Sequence, residues 1–409
     1  MKLQLSAPST NFLNSKIRIT GSKSETNRLL LLQALFPNIT ITNLSNSDDA
    51  QVMQKGLQIS NGEVDIHHAG TAMRFLTSYF ASQEGKSIVL TGSDRMKERP
   101  IKVLVDALRS LGAVIEYVGD EGYPPLKITG NKLQISKVSL PANISSQYIS
   151  SLMLIAPNLA NGLEIELVGK ITSIPYIKMT LSLLKGLGIH TSFQQNNIKI
   201  KTREKVEDKL MVVESDWSAA SYFYSIVALA DVGSQIELSS YKVDSLQGDS
   251  VLSKIYEEFG VETTFLENQI VLKKVKHAHN TKINLALENA PDIAQTIAVT
   301  CLGLGISCHL TGLHTLPIKE TDRLLAMKVE LEKLGGVVSI SEESLTLKAK
   351  NRLIENVSID TYNDHRMAMA FAPIALKTPI QINDAEVVSK SYPDFWKDLK
   401  IIGFNIKSM

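Results

Sequence analysis

The sequence predicts an α+β protein of two similar domains, each built from three repeated units. One observation is a recurring segment in which an amphipathic helix ends at a glycine and a strand-like run follows. Another is the spacing of 68 to 76 residues between successive copies. The third is the length of 409 residues, which suits two or three domains and allows a large core. Repeats of so long a period indicate stacked supersecondary units.

Five copies of the recurring segment can be identified. They are LRSLGAVIEY, LKGLGIHTSF, YEEFGVETTF, LEKLGGVVSI and LKIIGFNIKS, with their glycines at Gly112, Gly188, Gly260, Gly335 and Gly403. Glycine ends a helix because it adopts the left-handed conformation that other residues resist. A degenerate sixth copy is expected in MQKGLQISNG at 53–62. Chance recurrence of a common unit is the alternative, but five evenly spaced copies argue against it.

The composition argues against several classes of protein. Lys and Arg total 43 against 42 Asp and Glu, and a net charge of +1 argues against a general nucleic-acid or membrane surface. Cys301 and Cys308 form no paired motif, so neither a disulfide framework nor a zinc site is expected. The segment MKLQLSAPST lacks the apolar core of a signal peptide, and no apolar run approaches a membrane span. We therefore expect a cytoplasmic protein in a reducing compartment.

Six amphipathic segments open with a polar turn before they become apolar. They are SKSETNRLLLLQAL, AGTAMRFLTSYF, SSQYISSLMLIA, SIPYIKMTLSLL, KETDRLLAMKVEL and NDHRMAMAFAPIAL. The N–H groups and the dipole at a helix start attract anions. Any one of these starts is most simply explained by ordinary capping beside a solvated charge. Six of them, most with a Lys or Arg, predict convergence on a polyanionic ligand.

Nine motifs follow one another along the chain in a recognisable order. They are GSKSETNR (21–28), AGTAMRFLT (69–77), LTGSDRMKERPI (90–101), SSQY (145–148), SIPY (173–176), PDIAQT (291–296), KETDR (319–323), NDHRMAM (363–369) and SKSYPDF (389–395). Together they resemble the family of 5-enolpyruvylshikimate-3-phosphate synthases, which are enolpyruvyl transferases. The third motif is long and rarely matched by chance, and the ordered set is specific where a single motif is weak.

The resemblance implies a fold that agrees with the repeat spacing. The family has two similar domains, each of three βαβαββ units, joined by two crossovers, with the ligand cleft between them. The crossovers are expected near Gly21 and in the segment from Glu214 to Trp217, where a helix restarts. One domain would then be residues 21–213, and the other would combine residues 1–20 with 214–409.

The resemblance also implies two small-molecule substrates and their ligands. For phosphoenolpyruvate the implied ligands are Lys23, Gly70, Arg95, Gln147, Arg323, Arg366 and Lys390. For shikimate 3-phosphate they are Lys23, Ser24, Arg28, Ser145, Ser146, Gln147, Ser173, Tyr176, Asp292, Thr315 and Lys319. The two ligands bring a charge of roughly −5 to −6, since each phosphate carries about −1.5 to −2, and the cations in these lists are suited to balance it. No metal, organic cofactor, nucleic acid or membrane partner is implied, and we expect a monomer.

The implied reaction needs two proton movements. The 5-hydroxyl of shikimate 3-phosphate loses a proton as it attacks C2 of phosphoenolpyruvate, and C3 gains one to give a tetrahedral intermediate that then loses phosphate. Asp292 is the candidate for the 5-hydroxyl, and Glu320, assisted by Lys23, is the candidate at C3. The alternative for Asp292 is a helix cap after Pro291, and that for Glu320 is a first-turn carboxylate. Neighbouring cations would lower the pKa of Asp292 and burial would raise it, so the sequence leaves the direction open.

Several nearby residues are expected to have structural roles. Arg99 and Glu98 could form an ion pair, and His365 is expected to orient its neighbours. Internal partners are expected for Arg74 and Asp322.

The sequence also departs from the family pattern at four positions. They are His68 for a usual Asn, Phe75 for Pro, Thr315 where Asn is common, and Ile174 for Lys. These departures concern the fine details of affinity rather than the reaction.

Two other functions compete with this interpretation. The sister enolpyruvyl transferase that acts on UDP-N-acetylglucosamine shares the repeat architecture, but its reactive loop carries a cysteine in the first half of the chain. Both cysteines here lie beyond residue 300. A non-catalytic anion-binding scaffold on the same fold would be expected to lack Lys23, Asp292 or Glu320, and all three are present.

Overall fold

Two units make up the chain, one formed by Met1–Thr20 with Glu214–Met409 and the other by Gly21–Val213. The computed structural model describes residues 1–142, 145–169, 171, 174–349 and 352–409. In both units short strands alternate with helices, so the chain is of the mixed α and β class that the repeat predicts.

Among the described residues, the N-terminal segment and the unit Gly21–Val213 contain the first twelve strands and seven α-helices in chain order. The strands are β1 (Leu3–Ser6), β2 (Asn14–Ile17), β3 (Ile39–Thr42), β4 (Asn61–Asp65), β5 (Ser87–Thr91), β6 (Val114–Tyr117), β7 (Leu126–Thr129), β8 (Lys137–Pro141), β9 (Leu163–Val168), β10 (Thr191–Gln194), β11 (Asn197–Ile200) and β12 (Lys209–Val212). The helices are α1 (Lys23–Leu35), α2 (Asp48–Leu57), α3 (Gly70–Ala81), α4 (Asp94–Lys97), α5 (Lys102–Ser110), α6 (Ser146–Ile155) and α7 (Ile174–Gly186).

The segment Glu214–Met409 continues with the same alternation. Its strands are β13 (Gln235–Ser239), β14 (Val261–Leu266), β15 (Gln269–Lys274), β16 (Lys282–Ala286), β17 (Ser307–Thr311), β18 (Val337–Ile340), β19 (Leu345–Lys348), β20 (Val357–Ile359), β21 (Ile380–Ile382) and β22 (Asn405–Ser408). Its helices are α8 (Trp217–Leu229), α9 (Leu252–Ile255), α10 (Ala294–Leu304), α11 (Arg323–Lys333), α12 (His365–Phe371) and α13 (Phe395–Ile402).

The strands pair into small sheets that repeat one pattern. In Gly21–Val213 the strand orders are β4-β5-β7-β6, β10-β11-β9-β8 and β12-β3. In the other unit they are β14-β15-β13-β2, β16-β17-β19-β18 and β20-β21-β1-β22. In β4-β5-β7-β6, for example, β4 and β5 are parallel, and the antiparallel pair β6 and β7 extends the sheet beside β5. Each four-stranded sheet with its two helices therefore forms the βαβαββ unit that the resemblance implies.

The glycines predicted to end helices have the required conformation. The φ angles of Gly112, Gly188, Gly260, Gly335 and Gly403 lie between 73° and 108°. A strand follows each of them and pairs in an antiparallel manner with a neighbour. The recurring helix–glycine–strand segment is therefore confirmed in all five copies.

The expected sixth copy at 53–62 is wrong. Gly56 is the next-to-last residue of α2 rather than a left-handed residue that follows the helix, and a Cβ at this position would be 2.7 Å from Leu76 Cδ1 of α3. This glycine is needed for close helix packing. The strand that follows, β4, opens the next unit. The sixth sheet is the parallel pair β3 and β12, without a hairpin.

The helices that carry the candidate motifs are unusually buried. Every residue of α3 is buried, and the same holds for nearly all of α6, α8 and α10. In Gly21–Val213 α1 contacts both α3 and α6, and in the other unit α10 contacts both α8 and α12. Helices that are apolar all round belong in a core, so the sheets surround them. The polar first turns of these helices are the places where side chains with chemical functions collect.

Candidate active site

The start of α1 carries the first candidate cation, Lys23. Its Nζ lies 3.3 Å from Asp49 Oδ2 in the first turn of α2, and both side chains are largely shielded from solvent. His68 Nε2 lies 3.9 Å from the other Asp49 oxygen. The carboxylate of Asp49 therefore sits beside the Lys23 ammonium, and His68 is near the same carboxylate.

Arg28 lies one turn further along α1 and is 2% exposed. Its Nε donates to Thr180 Oγ1 at 2.8 Å, and its Nη2 donates to Ser150 Oγ at 2.9 Å. The rings of Phe75 and Tyr176 flank the guanidinium, with centroids 5.4 and 5.7 Å from Cζ. Burial lowers the pKa of Arg28 to about 10. Among the described residues Arg28 forms no salt bridge, so an anionic ligand would offset the cost of burying this charge.

The start of α3 is in close contact with Arg99. A Cβ at Gly70 would lie 2.6 Å from Arg99 Nη1, so the guanidinium is packed directly against the first turn of the helix. Gln147 Nε2 donates to Thr71 Oγ1 at 3.2 Å, which connects the starts of α3 and α6. The absence of a side chain at Gly70 thus leaves room for the Arg99 guanidinium against the first turn of α3.

The motif 90–101 is arranged differently from the expectation. Arg95 Nη1 lies 2.8 Å from Glu98 Oε2, with both side chains more than half exposed. The expected pairing of Glu98 with Arg99 is therefore wrong, because the i,i+3 spacing brings Arg95 next to Glu98 while Arg99 turns towards α3. Arg74 donates to the carbonyl oxygens of Gly70 and Pro100 and has the internal partners that were expected.

The remaining candidates of this unit are polar side chains near helix starts. Ser24 accepts a bond from Arg28 through its carbonyl oxygen at 2.7 Å. Ser145 is the N-cap of α6 and accepts from the Gln147 N–H at 3.4 Å, and Ser146 is buried in the first turn. Ser173 lies outside the described residues.

A second set of ionic side chains lies in the unit that contains Glu214–Met409. This Arg323 group consists of Asp292, Lys319, Glu320, Arg323, Asp364 and Arg366. Arg323 is 1% exposed, and its Nε lies 2.6 Å from Asp364 Oδ2. Its Nη1 lies 2.8 Å from Asp292 Oδ1, and its Nη2 lies 2.8 Å from Glu320 Oε2. Burial opposes the charge, but these three carboxylates together raise the pKa of Arg323 above its ordinary value.

Asp292 lies among three cations. Besides Arg323, its Oδ1 lies 3.6 Å from Lys319 Nζ and its Oδ2 lies 3.2 Å from Arg366 Nη2. Burial alone would raise the pKa of Asp292, but Arg366, Lys319 and Arg323 hold it well below the ordinary value. The direction that the sequence left open is therefore decided by the cations, and Asp292 is ionised in the folded protein.

The alternative roles of the two catalytic candidates do not match the structure. The N-cap residue of α10 is Ile293, so Asp292 does not cap that helix. Helix α11 is capped by Asp322, whose carboxylate accepts from the Leu325 N–H at 3.0 Å, and Glu320 precedes that cap. Glu320 is therefore not a first-turn carboxylate.

The remaining candidate side chains of this unit differ in their contacts. Arg366 Nη1 donates to the carbonyl oxygen of Asp292 at 3.4 Å, and Lys390 Nζ donates to the carbonyl oxygen of Asn363 at 2.7 Å. His365 is buried, with Nδ1 4.0 Å from Asp364 Oδ1. Thr315 Oγ1 is shielded from solvent and has no hydrogen-bond partner among the described residues.

Known proteins resemble this chain over nearly its whole length. A family model described as EPSP synthase (3-phosphoshikimate 1-carboxyvinyltransferase) matches residues 58–399. The chain belongs to the EPSP synthase family. A protein of Bacteroides fragilis named 3-phosphoshikimate 1-carboxyvinyltransferase is 45% identical over 411 residues, covering 100% of this chain and 99% of the relative. A protein of the same name from Haemophilus influenzae is 36% identical and covers 94% of this chain and 96% of its own length.

Solved structures of the family share the fold. EPSP synthase from Acinetobacter baumannii superimposes with a TM-score of 0.81 over 100% of both chains at 20% sequence identity. The two-domain enolpyruvyl transferase fold that the motifs implied is therefore confirmed.

Several residues of these clusters were not singled out in the sequence. Asp49, Ser150 and Thr180 are partners of Lys23 and Arg28, but each belongs to a helix other than α1. Asp364 lies in the motif NDHRMAM, where its place before the helix indicates a cap, and it does accept from the Arg366 N–H at 2.8 Å. Its second role, the pairing with Arg323, depends on a contact between residues 41 apart in sequence.

No described helix has the length and apolar character needed to cross a bilayer. Within the described ranges no cluster of three or more His, Cys, Asp or Glu side chains is arranged to hold a metal ion.

Proposed function

We propose that the chain transfers the enolpyruvyl group of phosphoenolpyruvate to the 5-hydroxyl of shikimate 3-phosphate and releases phosphate. Membership of the EPSP synthase family supports this reaction, as do two relatives that are named for it. The observation that carries the proposal in this chain is Asp292, a carboxylate held ionised within contact of three cations. Such a group can accept a proton while its surroundings attract an anionic substrate.

Binding of the two anions is assigned to the cations and polar groups described above. We assign shikimate 3-phosphate to Lys23, Ser24, Arg28, Ser145, Ser146, Gln147, Ser173, Tyr176, Asp292, Thr315 and Lys319, and phosphoenolpyruvate to Lys23, Gly70, Arg95, Gln147, Arg323, Arg366 and Lys390. The buried Arg28 guanidinium, which forms no salt bridge within the described part of the chain, supports the first assignment, and the shielded Thr315 hydroxyl is available to a further acceptor.

The proton steps are assigned to three side chains. Asp292 orients the 5-hydroxyl and accepts its proton as the bond to C2 forms, since the cations keep the carboxylate ionised and therefore able to accept a hydrogen bond and a proton. In the addition step Glu320, assisted by Lys23, gives a proton to C3 and so becomes the carboxylate that pairs with Arg323. In the elimination step Glu320 takes a proton back from C3, and the proton held by Asp292 passes to the departing phosphate. Arg323 contacts both carboxylates and fixes their relative position.

Phosphate release from the purified chain tests the proposal. Release from phosphoenolpyruvate should require shikimate 3-phosphate, and the organic product should carry the enolpyruvyl group on the 5-oxygen. Activity with UDP-N-acetylglucosamine in its place would overturn the assignment, and binding of both anions without turnover would favour a scaffold. We further propose a cytoplasmic monomer, for which light scattering should give the mass of one chain.

A further inference from the structure

One buried carboxyl close to Arg366 has no part in the proposed reaction. Asp249 follows Gly248 in a 3₁₀ turn of residues Gly248–Val251 and is 6% exposed. The Ser218 hydroxyl donates a hydrogen bond to Asp249 Oδ2. Arg366 Nη2 in turn donates to Ser218 Oγ at 3.3 Å. Asp249 is thereby connected to Arg366 through a single hydroxyl.

The turn that carries Asp249 is fastened to the start of α8. Gln247 Oε1 accepts from the Trp217 N–H at 2.9 Å, and Gln247 Nε2 donates to the carbonyl oxygen of Ser215 at 2.8 Å. Because Gln247 precedes the turn by one residue and Ser218 follows Trp217, these two bonds set the Asp249 carboxyl opposite the Ser218 hydroxyl.

The two hydrogen bonds that connect Arg366, Ser218 and Asp249 have a defined direction. A guanidinium only donates, so Ser218 must accept from Arg366, and the Ser218 proton then needs an acceptor of its own. An ionised Asp249 is that acceptor, and a charge-assisted bond to it makes the serine oxygen a better acceptor for Arg366. A protonated Asp249 loses the charge that strengthens both bonds.

We propose that Asp249, acting through Ser218, is a positioning residue that holds the Arg366 guanidinium in the orientation that binds phosphoenolpyruvate, and that it does so when its carboxyl is ionised. This inference rests on the proposed function, in which Arg366 binds phosphoenolpyruvate.

The charges around Asp249 make its ionisation sensitive to pH near neutrality. Asp216 before α8, Asp292 before α10 and Arg366 in α12 are the charged groups that act on it. Burial raises the pKa of Asp249 to about 7, and Asp292 and Asp216 add to the rise, while Arg366 and the Ser218 hydroxyl oppose it. Since a raised pKa favours the protonated form, the positioning effect should be lost as the pH falls through this value and be complete above it.

The test compares kcat/KM for phosphoenolpyruvate of the parent and Asp249→Asn across this pH range at saturating shikimate 3-phosphate. The ratio of parent to variant removes the titration of the substrates, which is common to both. It should be near one below about pH 6 and rise to about tenfold above about pH 8, the advantage expected of a charge-assisted hydrogen bond. Ser218→Ala should lose as much as Asp249→Asn, the double variant should lose no more than either, and Ser218→Thr should restore the parent behaviour.

A matched control separates this role from the removal of any buried carboxyl. Asp398 is also buried in this unit and accepts from a hydroxyl, Tyr392 Oη at 2.6 Å. Asp398→Asn should show a ratio that does not change with pH. Affinity for shikimate 3-phosphate should be that of the parent in every variant, which also shows that each is folded.

Three results would overturn the proposal. A loss by Asp249→Asn that is equal at all pH values would indicate packing alone, and tighter binding of phosphoenolpyruvate would indicate that Asp249 acts only by repulsion. The third uses NMR and is independent of turnover. As the pH rises from about 6 to about 8, rotation of the Arg366 guanidinium about its Nε–Cζ bond should become slower in the parent but not in Asp249→Asn. Equal rotation in both proteins would refute the proposal that Asp249 holds Arg366 through Ser218. If the parent releases no phosphate, the proposed function is refuted instead, and the NMR result still decides whether Asp249 positions Arg366.

Discussion

Replacing Asp292 by Asn tests the centre of the proposed site. The side chains are close in shape, but the amide has one oxygen where the carboxylate has two. Asp292 Oδ1 faces Arg323 and Lys319, and Oδ2 faces Arg366. If the amide oxygen stays on the first side, its NH₂ group points at the Arg366 guanidinium, and a donor then meets a donor.

The expected losses in rate and stability have different sizes. Removal of the proton acceptor should lower turnover by about 10²–10⁴-fold, the usual share of acid–base catalysis. Breaking a buried ion pair costs about 3–5 kcal/mol, and the lower end is expected here because Arg323 keeps Glu320 and Asp364. Affinity for shikimate 3-phosphate should fall by less than about tenfold, since an amide still accepts a bond from the 5-hydroxyl.

Three measurements decide the outcome. Phosphate release gives turnover, urea unfolding gives stability, and calorimetry gives the affinity for shikimate 3-phosphate. Asp360→Asn is the control, because Asp360 pairs with Lys333 at 2.8 Å and is half exposed, so its loss should cost less than about 1 kcal/mol and leave turnover unchanged. A turnover of Asp292→Asn within a few-fold of the parent, with the stability loss present, would show that Asp292 only balances charge.

Three further predictions follow from single residues. Glyphosate is the inhibitor that the family resemblance implies, in competition with phosphoenolpyruvate. Gly70→Ala should reduce this inhibition more than it reduces turnover, because it adds a methyl group at a residue assigned to phosphoenolpyruvate, where the methyl would also lie 2.6 Å from Arg99 Nη1; equal reductions in steady-state kinetics would refute this. From pH 5 to pH 8 the unfolding free energy of Asp249→Asn should rise relative to that of the parent by about 3 kcal/mol, because Asp249 has a pKa of about 7 in the folded parent and near 3.8 in the unfolded chain, so the parent loses stability over this range. Urea unfolding that gives the same difference between variant and parent at both pH values would contradict it. Lys274→Met should lower the unfolding free energy by about 1–3 kcal/mol, because Lys274 Nζ donates at 2.7 and 2.6 Å to two buried carbonyl oxygens; the exposed neighbour Lys273→Met is the control and should unfold at the parent's urea concentration.

The repeat architecture could be predicted from the sequence because its signals are local. A helix that ends at a glycine is decided by residues within one or two turns of each other, and Gly112 and Gly335 have the predicted left-handed φ angles of 102° and 100°. Gly56 shows the limit of this reasoning. Its role is to admit Leu76 of another helix, and a contact between helices leaves no local pattern.

The sequence also predicted which residue types collect in the candidate site, but not how they pair. Glu98 could be paired with either Arg95 or Arg99 from spacing, and only the course of the chain after α4 decides between them. The same holds for Arg28, whose partners Ser150 and Thr180 are 122 and 152 residues away in sequence.

By itself the sequence determined the fold class, the βαβαββ units, the family and the chemical character of the candidate ligands, because local periodicity and ordered motifs carry this information. Only the tertiary structure decided the ionisation of the key carboxyl groups. Asp292 is held ionised because Arg366 and Arg323 form direct ion pairs with it from other helices. Arg366 also acts on Asp249, but there burial has the larger effect and raises the pKa. Electrostatic energies depend on distance in space and on shielding from water, and both are set by contacts between segments far apart in the chain.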